Sequence, residues 1–217
     1  MSFAQRSASP SASPALRAWS AAPLPTRTLG QAAFDAACAE LMRVVGRDYA
    51  PALLVGVRTG GLVVAEAMAR VTSSPVLPLT CRRPSTIFKS RLPGLKPLLA
   101  TLPEPLLNAL RRAEHRLVSG HRHAAQPAQI NLAEAIAIGN WLRILSRGAR
   151  VLVVDDAADS GVTLATVLQT LRNVCPPDVE VRTAVITVTT DDPVVAPDYA
   201  LYRGVLCRFP WSLDMRR

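Results

Sequence analysis

Apolar residues recur along this chain at two spacings, which divide it into alternating strands and helices. Apolar runs typical of strands fall at Ala52–Val57, Val76–Thr80, Val151–Val154 and Val179–Val188. Between these runs, apolar residues recur every three or four positions, which predicts helices with one buried face. Strands that alternate with helices indicate a parallel twisted sheet flanked by helices, so we predict an α/β fold.

Each predicted helix has a stripe of apolar residues. The first helix spans Gln31–Val45 and the second spans Leu62–Arg70. The third begins at Asn131-Leu132-Ala133-Glu134, which resembles a capping box, and Gly148 ends it. The stripe expected on the first helix comprises Phe34, Ala37, Cys38, Leu41, Met42 and Val45. The stripe expected on the third comprises Leu132, Ala135, Ile136, Gly139, Leu142 and Leu145.

The stretch Val151–Leu164 concentrates polar residues at the end of one apolar strand. Three carboxylates come first, and Ser-Gly-Val-Thr then opens an apolar run with helical spacing. The N-terminus of a helix presents unpaired backbone N–H groups and the positive end of the helix dipole, and both favour a phosphate. Gly161 lets the backbone approach that phosphate closely, while Ser160 and Thr163 add hydroxyl donors.

Asp155 and Asp156 require a different partner, because carboxylates repel phosphate. They suit ribose hydroxyls, or a magnesium ion that the substrate carries. Phosphoribosyl pyrophosphate (PRPP) holds a phosphate, a diol and a metal in one ligand. The alternative is an ordinary strand–turn–helix with a capping Asp or Ser, but a cap requires one polar residue and this turn has five.

The same stretch resembles the signature of the type I phosphoribosyltransferase family, an apolar strand, two acidic residues, two variable residues and then Asp-Thr/Ser-Gly-x-Thr. The match holds position for position, with Ser160 in the Thr/Ser position. The resemblance implies a Rossmann-like core and a PRPP site formed by Asp155, Asp156, Asp159, Ser160, Gly161, Val162 and Thr163. It also implies that Asp155 and Asp156 act on the metal indirectly, through magnesium bound to PRPP, and that Asp159 is the catalytic general base or proton acceptor.

A second loop, Arg58-Thr59-Gly60-Gly61, follows the Ala52–Val57 strand. It places a cationic side chain and flexible backbone amides at the carboxyl end of a strand, where open α/β sheets bind ligands. A structural Gly-Gly turn is the alternative. The loop resembles the pyrophosphate loop of the family, which often reads Arg-Gly-Gly or Lys-Gly-Gly, with Thr59 as an extra residue. The resemblance implies that Arg58, Thr59 and the amide of Gly60 bind pyrophosphate.

Most of the net charge of the chain lies in one segment. Residues 81–122 hold nine Lys and Arg against two Glu, so their net charge is nine minus two, or +7, out of +9 for the whole chain. Three interpretations fit this charge. The segment lines the mouth of a site for an anionic substrate, it contacts nucleic acid or an acidic partner, or it is a solvated surface. Its only aromatic residue is Phe88, which disfavours nucleic acid. Helical spacing over Pro103–Val118 predicts a basic helical insertion, or hood, at about residues 81–130.

The C-terminal segment is where we expect the acceptor of the reaction to bind. Its ending resembles that of purine phosphoribosyltransferases of the xanthine and guanine type, in which a late strand and a Pro-Trp-acid tail help form the nucleobase pocket. Leu206 falls where such enzymes often place an aromatic residue that stacks on the base. Phe209 and Trp211 serve either this acceptor pocket or the core. A heterocyclic base is therefore the second substrate that the resemblance implies.

The composition suits one globular domain of 217 residues. We assign residues 1–28, rich in Ser, Ala and Pro, to a disordered tail and residues 29–217 to a single domain. No apolar run approaches the roughly 20 residues of a membrane span. The four cysteines have no CxxC spacing, which favours free thiols in a reducing cytoplasm. Apolar positions on the insertion are compatible with a homodimer.

Two functions from different classes fit these residues. The first is an enzyme that uses PRPP to ribosylate a nucleobase or a related nitrogen heterocycle and releases pyrophosphate. The second is a regulator that senses PRPP or a nucleotide without turnover, and whose basic insertion binds nucleic acid or an acidic partner. The complete phosphate loop and the acidic pair favour the enzyme, although a fold can keep its ligand site without its reaction.

Overall fold

The structure of the protein, a computed structural model, describes residues 24–82, 128–144 and 148–212. Its strands are β1 (Thr26–Thr28), β2 (Leu53–Arg58), β3 (Val76–Arg82), β4 (Gln129–Ile130), β5 (Arg150–Ala158), β6 (Glu180–Val188), β7 (Tyr199–Arg203) and β8 (Leu206–Arg208). Its helices are α1 (Gln31–Val45), α2 (Gly60–Thr72), α3 (Leu132–Ile144) and α4 (Val162–Val174). None of these helices is long and apolar enough to cross a membrane. The helix predicted over Pro103–Val118 lies outside the described residues.

Six of the strands form one sheet in the order β4-β3-β2-β5-β6-β7. Neighbours from β3 to β7 are parallel, and β4 is antiparallel to β3. The predicted α/β class with a mostly parallel sheet is confirmed. From β2 the chain first adds β3 on one side and later adds β5 on the other. The carboxyl ends of β2 and β5 therefore flank a switch point, the place where open α/β sheets bind ligands.

Both faces of the sheet are covered, which explains why its strands read as continuous apolar runs. Alternate residues of β5 enter different hydrophobic clusters. Leu152 and Val154 join a cluster that includes residues of α1 and α2. Val151 and Val153 join a second cluster with residues of α3 and α4. The sheet is thus packed between two pairs of helices, and loops lie along its carboxyl edge.

The bounds and the buried stripe of α1 are those predicted. On α3 the predicted stripe is wrong at two positions, because Leu132 is 58% exposed and Ile136 is 45% exposed. The buried residues of α3 are Ala135, Ile138, Gly139 and Leu142. Gly139 is packed so closely that a Cβ there would overlap the carbonyl oxygen of Val174, at the end of α4. This contact fixes the rotation of α3, and Leu145 of the predicted stripe lies outside the described residues.

The start of α3 forms half of the predicted capping box. The Asn131 side-chain oxygen accepts hydrogen bonds from the backbone N–H groups of Ala133 (3.2 Å) and Glu134 (3.5 Å). The Glu134 carboxylate does not return to Asn131 but accepts from the backbone N–H of Thr80 (2.5 Å) and from its hydroxyl (3.2 Å). Glu134 therefore joins α3 to the carboxyl end of β3.

Among the residues that the structure describes, only the short strand β4 pairs with the outer side of β3, so most of β3 lies at the edge of the sheet. Pro78, which predicted an edge position, pairs with Gly56 of β2, and β4 pairs only with the last residues of β3. Cys81 is paired with Ile130 and Arg82 with Gln129. These two pairs form a short ladder on the carboxyl side of the sheet. The basic insertion itself stays a prediction.

The N-terminal strand β1 pairs in parallel with β8, which joins the two ends of the described chain. Thr26 faces Leu206 and Thr28 faces Arg208 in this two-stranded sheet. Three residues that the composition assigned to the tail are thus part of the folded domain.

The amino edge of the sheet carries a polar cluster centred on Tyr49. Its hydroxyl lies 2.9 Å from the carbonyl oxygens of both Val151 and Glu180, which belong to neighbouring strands. The Arg182 guanidinium lies 4.5 Å from the centre of the Tyr49 ring and bonds to Asp48 at 2.7 Å. This cluster ties the chain after α1 to β5 and β6, at the edge opposite the switch point.

Tyr49→Phe is expected to lower the free energy of unfolding by about 1 kcal/mol, because it removes one buried hydroxyl hydrogen bond. Urea unfolding measures this loss. Any activity of the folded protein should be unchanged, because Tyr49 lies at the amino edge. A large loss of activity at full stability would contradict the assignment of Tyr49 to the scaffold.

Candidate functional site

The sequence analysis placed the acidic pair after the apolar strand. In the structure, Asp155 and Asp156 lie inside β5. The pairing of β5 with β6 continues through Asp155 to Ala158, so Asp155 and Asp156 are held in the ladder. Asp155 is 8% exposed. Each carboxylate accepts a hydrogen bond from the next backbone N–H, at 2.9 Å from Asp156 and at 3.0 Å from Ala157. Consecutive side chains of a strand point to opposite faces, so the two carboxylates lie on opposite faces of the sheet near its carboxyl edge.

Burial raises the pKa of the Asp156 carboxyl above its ordinary value, and the nearby charge of Asp159 raises it further. Hydrogen bonds from neighbouring groups lower this pKa but do not cancel the effect of burial. The ionised form of Asp156 therefore gains from any cation or hydroxyl donor that a ligand brings.

The predicted pyrophosphate loop contacts the acidic pair. A Cβ on Gly60 would overlap the Asp156 carboxylate, and a Cβ on Gly61 would lie 2.7 Å from the Cα of Asp155. Only glycine allows this approach. Arg58 ends β2 with an exposed side chain, and Thr59, also exposed, follows it through a cis peptide bond. Helix α2 begins at Gly60 without a side-chain cap, so its first N–H groups lie at the switch point.

The predicted phosphate loop joins β5 to α4. Gly161 is the N-cap of α4 and has a φ of 75°, in the left-handed region that favours glycine. A Cβ on Gly161 would also lie 2.7 Å from the carbonyl oxygen of Val195. The carbonyl oxygen of Ser160 accepts a hydrogen bond from the Val194 N–H at 2.9 Å. The loop is therefore braced from outside by the chain that follows β6.

Asp159, the predicted catalytic residue, has a partner that the sequence analysis missed. The hydroxyl of Thr189 donates to Asp159 Oδ1 at 2.6 Å. Thr189 is 5% exposed and directly follows β6, and its backbone N–H donates to the Ala158 carbonyl at 3.1 Å. The sequence feature that could have identified Thr189 is its position directly after β6, the strand that pairs in parallel with β5.

The predicted acceptor residues lie on and after β8. Leu206 is buried at 7% exposure and faces Thr26 of β1. The Phe209 ring stacks on Trp211 with centroids 5.0 Å apart, and Trp211 meets the edge of Phe34 of α1 at 5.1 Å. Phe209 and Trp211 thus pack against the core, which was one of the two roles considered for them. Their part in an acceptor pocket stays a prediction.

The acidic pair is the part of this site that fits a magnesium ion bound together with phosphates. No group of three or more His, Cys, Asp or Glu is placed to hold a metal among the residues that the structure describes. Magnesium is often bound by one or two carboxylates together with substrate phosphates. Asp155 and Asp156 provide such a pair beside the two loops.

The chain matches the phosphoribosyl transferase domain family over residues 28–213. No curated protein sequence matches it. Among solved structures, a purine phosphoribosyltransferase from Pyrococcus horikoshii has a TM-score of 0.53 at 18% identity, with 87% of this chain and 95% of that chain covered. The xanthine-guanine-hypoxanthine phosphoribosyltransferase of Helicobacter pylori has a TM-score of 0.51 at 16% identity, with coverage of 84% and 91%. A hypothetical protein from Neisseria gonorrhoeae with bound ppGpp has a TM-score of 0.52 at 15% identity, with coverage of 86% and 89%.

Proposed function

Because the chain belongs to the phosphoribosyl transferase domain family, we propose that it is an enzyme that transfers the phosphoribosyl group of PRPP to a nitrogen of a nucleobase or related heterocycle. Pyrophosphate leaves in this reaction. The observation that carries the proposal is the close approach of Gly60 to the Asp156 carboxylate at the switch point. It brings a cationic loop, an acidic pair and a helix N-terminus together at the carboxyl edge of the sheet, and PRPP has a complementary group for each.

The three parts of PRPP are assigned to different elements. The 5-phosphate binds the loop Asp159–Thr163, where the N-terminus of α4 supplies backbone donors. The ribose hydroxyls bind Asp155 and Asp156. The pyrophosphate binds Arg58, Thr59 and the amide of Gly60, where the N-terminus of α2 adds a second positive dipole end.

Asp155 and Asp156 would also hold magnesium through the PRPP that carries it. When bound, the ion supplies positive charge that stabilises the leaving pyrophosphate. The raised pKa of Asp156 supports this assignment, since a half-buried carboxylate gains from a nearby cation.

In the reaction, the bond from the ribose C1 carbon to the pyrophosphate oxygen breaks and a bond from C1 to the acceptor nitrogen forms. Arg58 stabilises the charge that develops on pyrophosphate. The carboxylates near the ribose stabilise the cationic character of the sugar. Asp159 accepts the proton that the acceptor nitrogen loses, so it must be within hydrogen-bond reach of the bound base.

A purine is the first acceptor to test, because the proteins from Pyrococcus horikoshii and Helicobacter pylori that share this fold are named for purines. Leu206, Phe209 and Trp211 are the proposed pocket residues. We place the protein in the cytoplasm. Its four cysteines form no disulfide, which is typical of a protein in a reducing compartment.

The second candidate is a regulator that binds PRPP or a nucleotide without turnover. The Neisseria gonorrhoeae protein of the same fold holds ppGpp, a purine nucleotide that carries pyrophosphate groups. A crevice with an anion loop on each side suits such a ligand as well as it suits PRPP.

Separate calorimetric titrations with magnesium-PRPP and with ppGpp, followed by a pyrophosphate-release assay across a panel of nucleobases, separate the two candidates. We expect binding, together with release for one base. Binding of PRPP or ppGpp without release for any base would support the regulator. No binding of either would contradict the site assignment, and light scattering on the same sample would distinguish a monomer from a homodimer.

A further inference from the structure

We propose that Thr189 is a positioning residue, which holds the Asp159 carboxylate in the orientation needed to accept the proton of the acceptor. This inference rests on the proposed function of Asp159. The two residues are 30 positions apart and meet because β5 and β6 are neighbouring parallel strands. Thr189 is the first residue after β6, and Asp159 is the first residue after β5.

Two bonds join Thr189 to the start of the phosphate loop. Its hydroxyl donates to Asp159 Oδ1 at 2.6 Å, a short hydrogen bond. Its backbone N–H donates to the carbonyl of Ala158 at 3.1 Å. The backbone bond fixes where the Thr189 Cα lies, and the side-chain bond fixes the carboxylate.

The surroundings of Thr189 keep its hydroxyl in place. The residue is 5% exposed, and a β-branched side chain has few χ1 states. The chain that follows it is attached to the phosphate loop a second time, through the Val194 N–H and the Ser160 carbonyl oxygen. Thr189 therefore begins a segment that is anchored at both ends to the loop it supports.

A carboxylate that accepts a proton in a reaction must be oriented before the substrate arrives, since a misdirected base loses much of its effect. A free Asp side chain rotates about two bonds. The Thr189 hydroxyl restricts this rotation and costs no reorganisation during the reaction. The hydroxyl does not touch the reacting atoms, so Thr189 acts through Asp159.

Strand β6, which leads to Thr189, offers a matched control. Thr183 is 1% exposed, and its hydroxyl donates to the carboxylate of Asp198 at 2.8 Å. It thus makes the same kind of bond in the same kind of environment, but with an acid that lies just before β7 at the opposite edge from the phosphate loop. Thr183→Val should cost stability and leave catalysis unchanged.

The test compares Thr189→Val, Thr189→Ser and Thr183→Val in steady-state kinetics. Thr189→Val keeps the shape of the side chain without the hydroxyl and should lower kcat about tenfold or more, with the KM for PRPP nearly unchanged. Thr189→Ser keeps the hydroxyl and should restore most of kcat. Equal kcat values for Thr189→Val and Thr183→Val would overturn the proposal.

A second readout does not depend on turnover. The carboxyl carbon resonance of Asp159, assigned in carbon-13-labelled protein with Asp159→Asn, should move in Thr189→Val and stay in place in Thr183→Val. An Asp159 resonance that is unchanged in Thr189→Val would refute the positioning role. If the resonance moves but the parent protein releases no pyrophosphate with any base, the contact of Thr189 with Asp159 is supported and the proposed transfer reaction is contradicted.

Discussion

Replacing Asp156 with Asn is expected to lower turnover about a hundredfold or more, the scale of losing one preorganised electrostatic contact. The same change is expected to raise the melting temperature of the ligand-free protein. The activity falls because Asn cannot give the negative charge that magnesium-PRPP and the cationic sugar require. The melting temperature rises because burial makes the charge of Asp156 costly in the folded protein.

The stability effect has a definite dependence on pH. The folded-state pKa of Asp156 lies above the ordinary value of 3.8, so between these two values the folded protein binds more protons than the unfolded chain. The stability that this group contributes to the folded protein is therefore fully present when the pH is below the ordinary pKa of Asp. It is lost as the pH rises through the folded-state pKa. The difference in melting temperature between Asp156→Asn and the parent should grow over this window and be smallest in acid.

Thermal scans at several pH values and pyrophosphate release measure the two effects on the same samples. Asp35→Asn is the matched control, because the Asp35 carboxylate is exposed and pairs with Arg70 on the surface. It should change neither quantity by much. The double change of Asp155 and Asp156 to Asn should remove the remaining activity. An unchanged rate in the double variant, or a lower melting temperature in Asp156→Asn, would contradict this account of the site.

The parts of this site that the sequence predicts are those encoded by neighbouring residues. The β5 strand, the phosphate loop and α4 follow one another without interruption, so a local pattern identifies them. Helix α1 was predicted to the residue because its apolar positions occupy one side only. Helix α3 is apolar on more than one side, and its buried face depends on the contact of Gly139 with Val174, which no spacing within the helix reveals.

Two contacts of the site that the sequence does not predict join neighbouring strands of the sheet. The bond from Thr189 to Asp159 requires that β6 lie beside β5, and the approach of Gly60 to Asp156 requires that β2 lie on the other side. A sequence of strands and helices does not give the order of the strands. The pairing with β6 also explains why Asp155 and Asp156 belong to β5, since the ladder continues to Ala158.

Gly60→Ala and Gly61→Ala are expected to damage the protein in different ways, although the two residues are adjacent. The methyl group that Gly60→Ala introduces would meet the side chain of Asp156, which can rotate away. The methyl group that Gly61→Ala introduces would lie 2.7 Å from the Asp155 Cα, which is backbone. Gly60→Ala should therefore lose PRPP affinity and turnover at nearly full stability. Gly61→Ala should lose about 1–3 kcal/mol of stability, the usual cost of overpacking.

Calorimetry with PRPP and urea unfolding separate these effects, and Gly30→Ala is the matched control. Gly30 caps α1 with an ordinary extended backbone, and a Cβ there meets nothing within 4 Å. That variant should keep its PRPP affinity and lose about 1 kcal/mol of stability, because alanine is a poorer helix cap than glycine. PRPP affinity that survives Gly60→Ala intact would contradict a site shared by β2 and β5.

Combining Gly60→Ala with Asp156→Ala tests whether the contact itself is responsible. If the methyl group added at position 60 acts only by displacing the Asp156 carboxylate, then adding it to a protein that lacks this carboxylate should have little further effect on PRPP affinity. The losses of the two single variants would then be strongly non-additive. Additive losses would mean that Gly60 serves the ligand independently, through its own amide at the start of α2, and that the acidic pair and the pyrophosphate loop act as separate parts of the site.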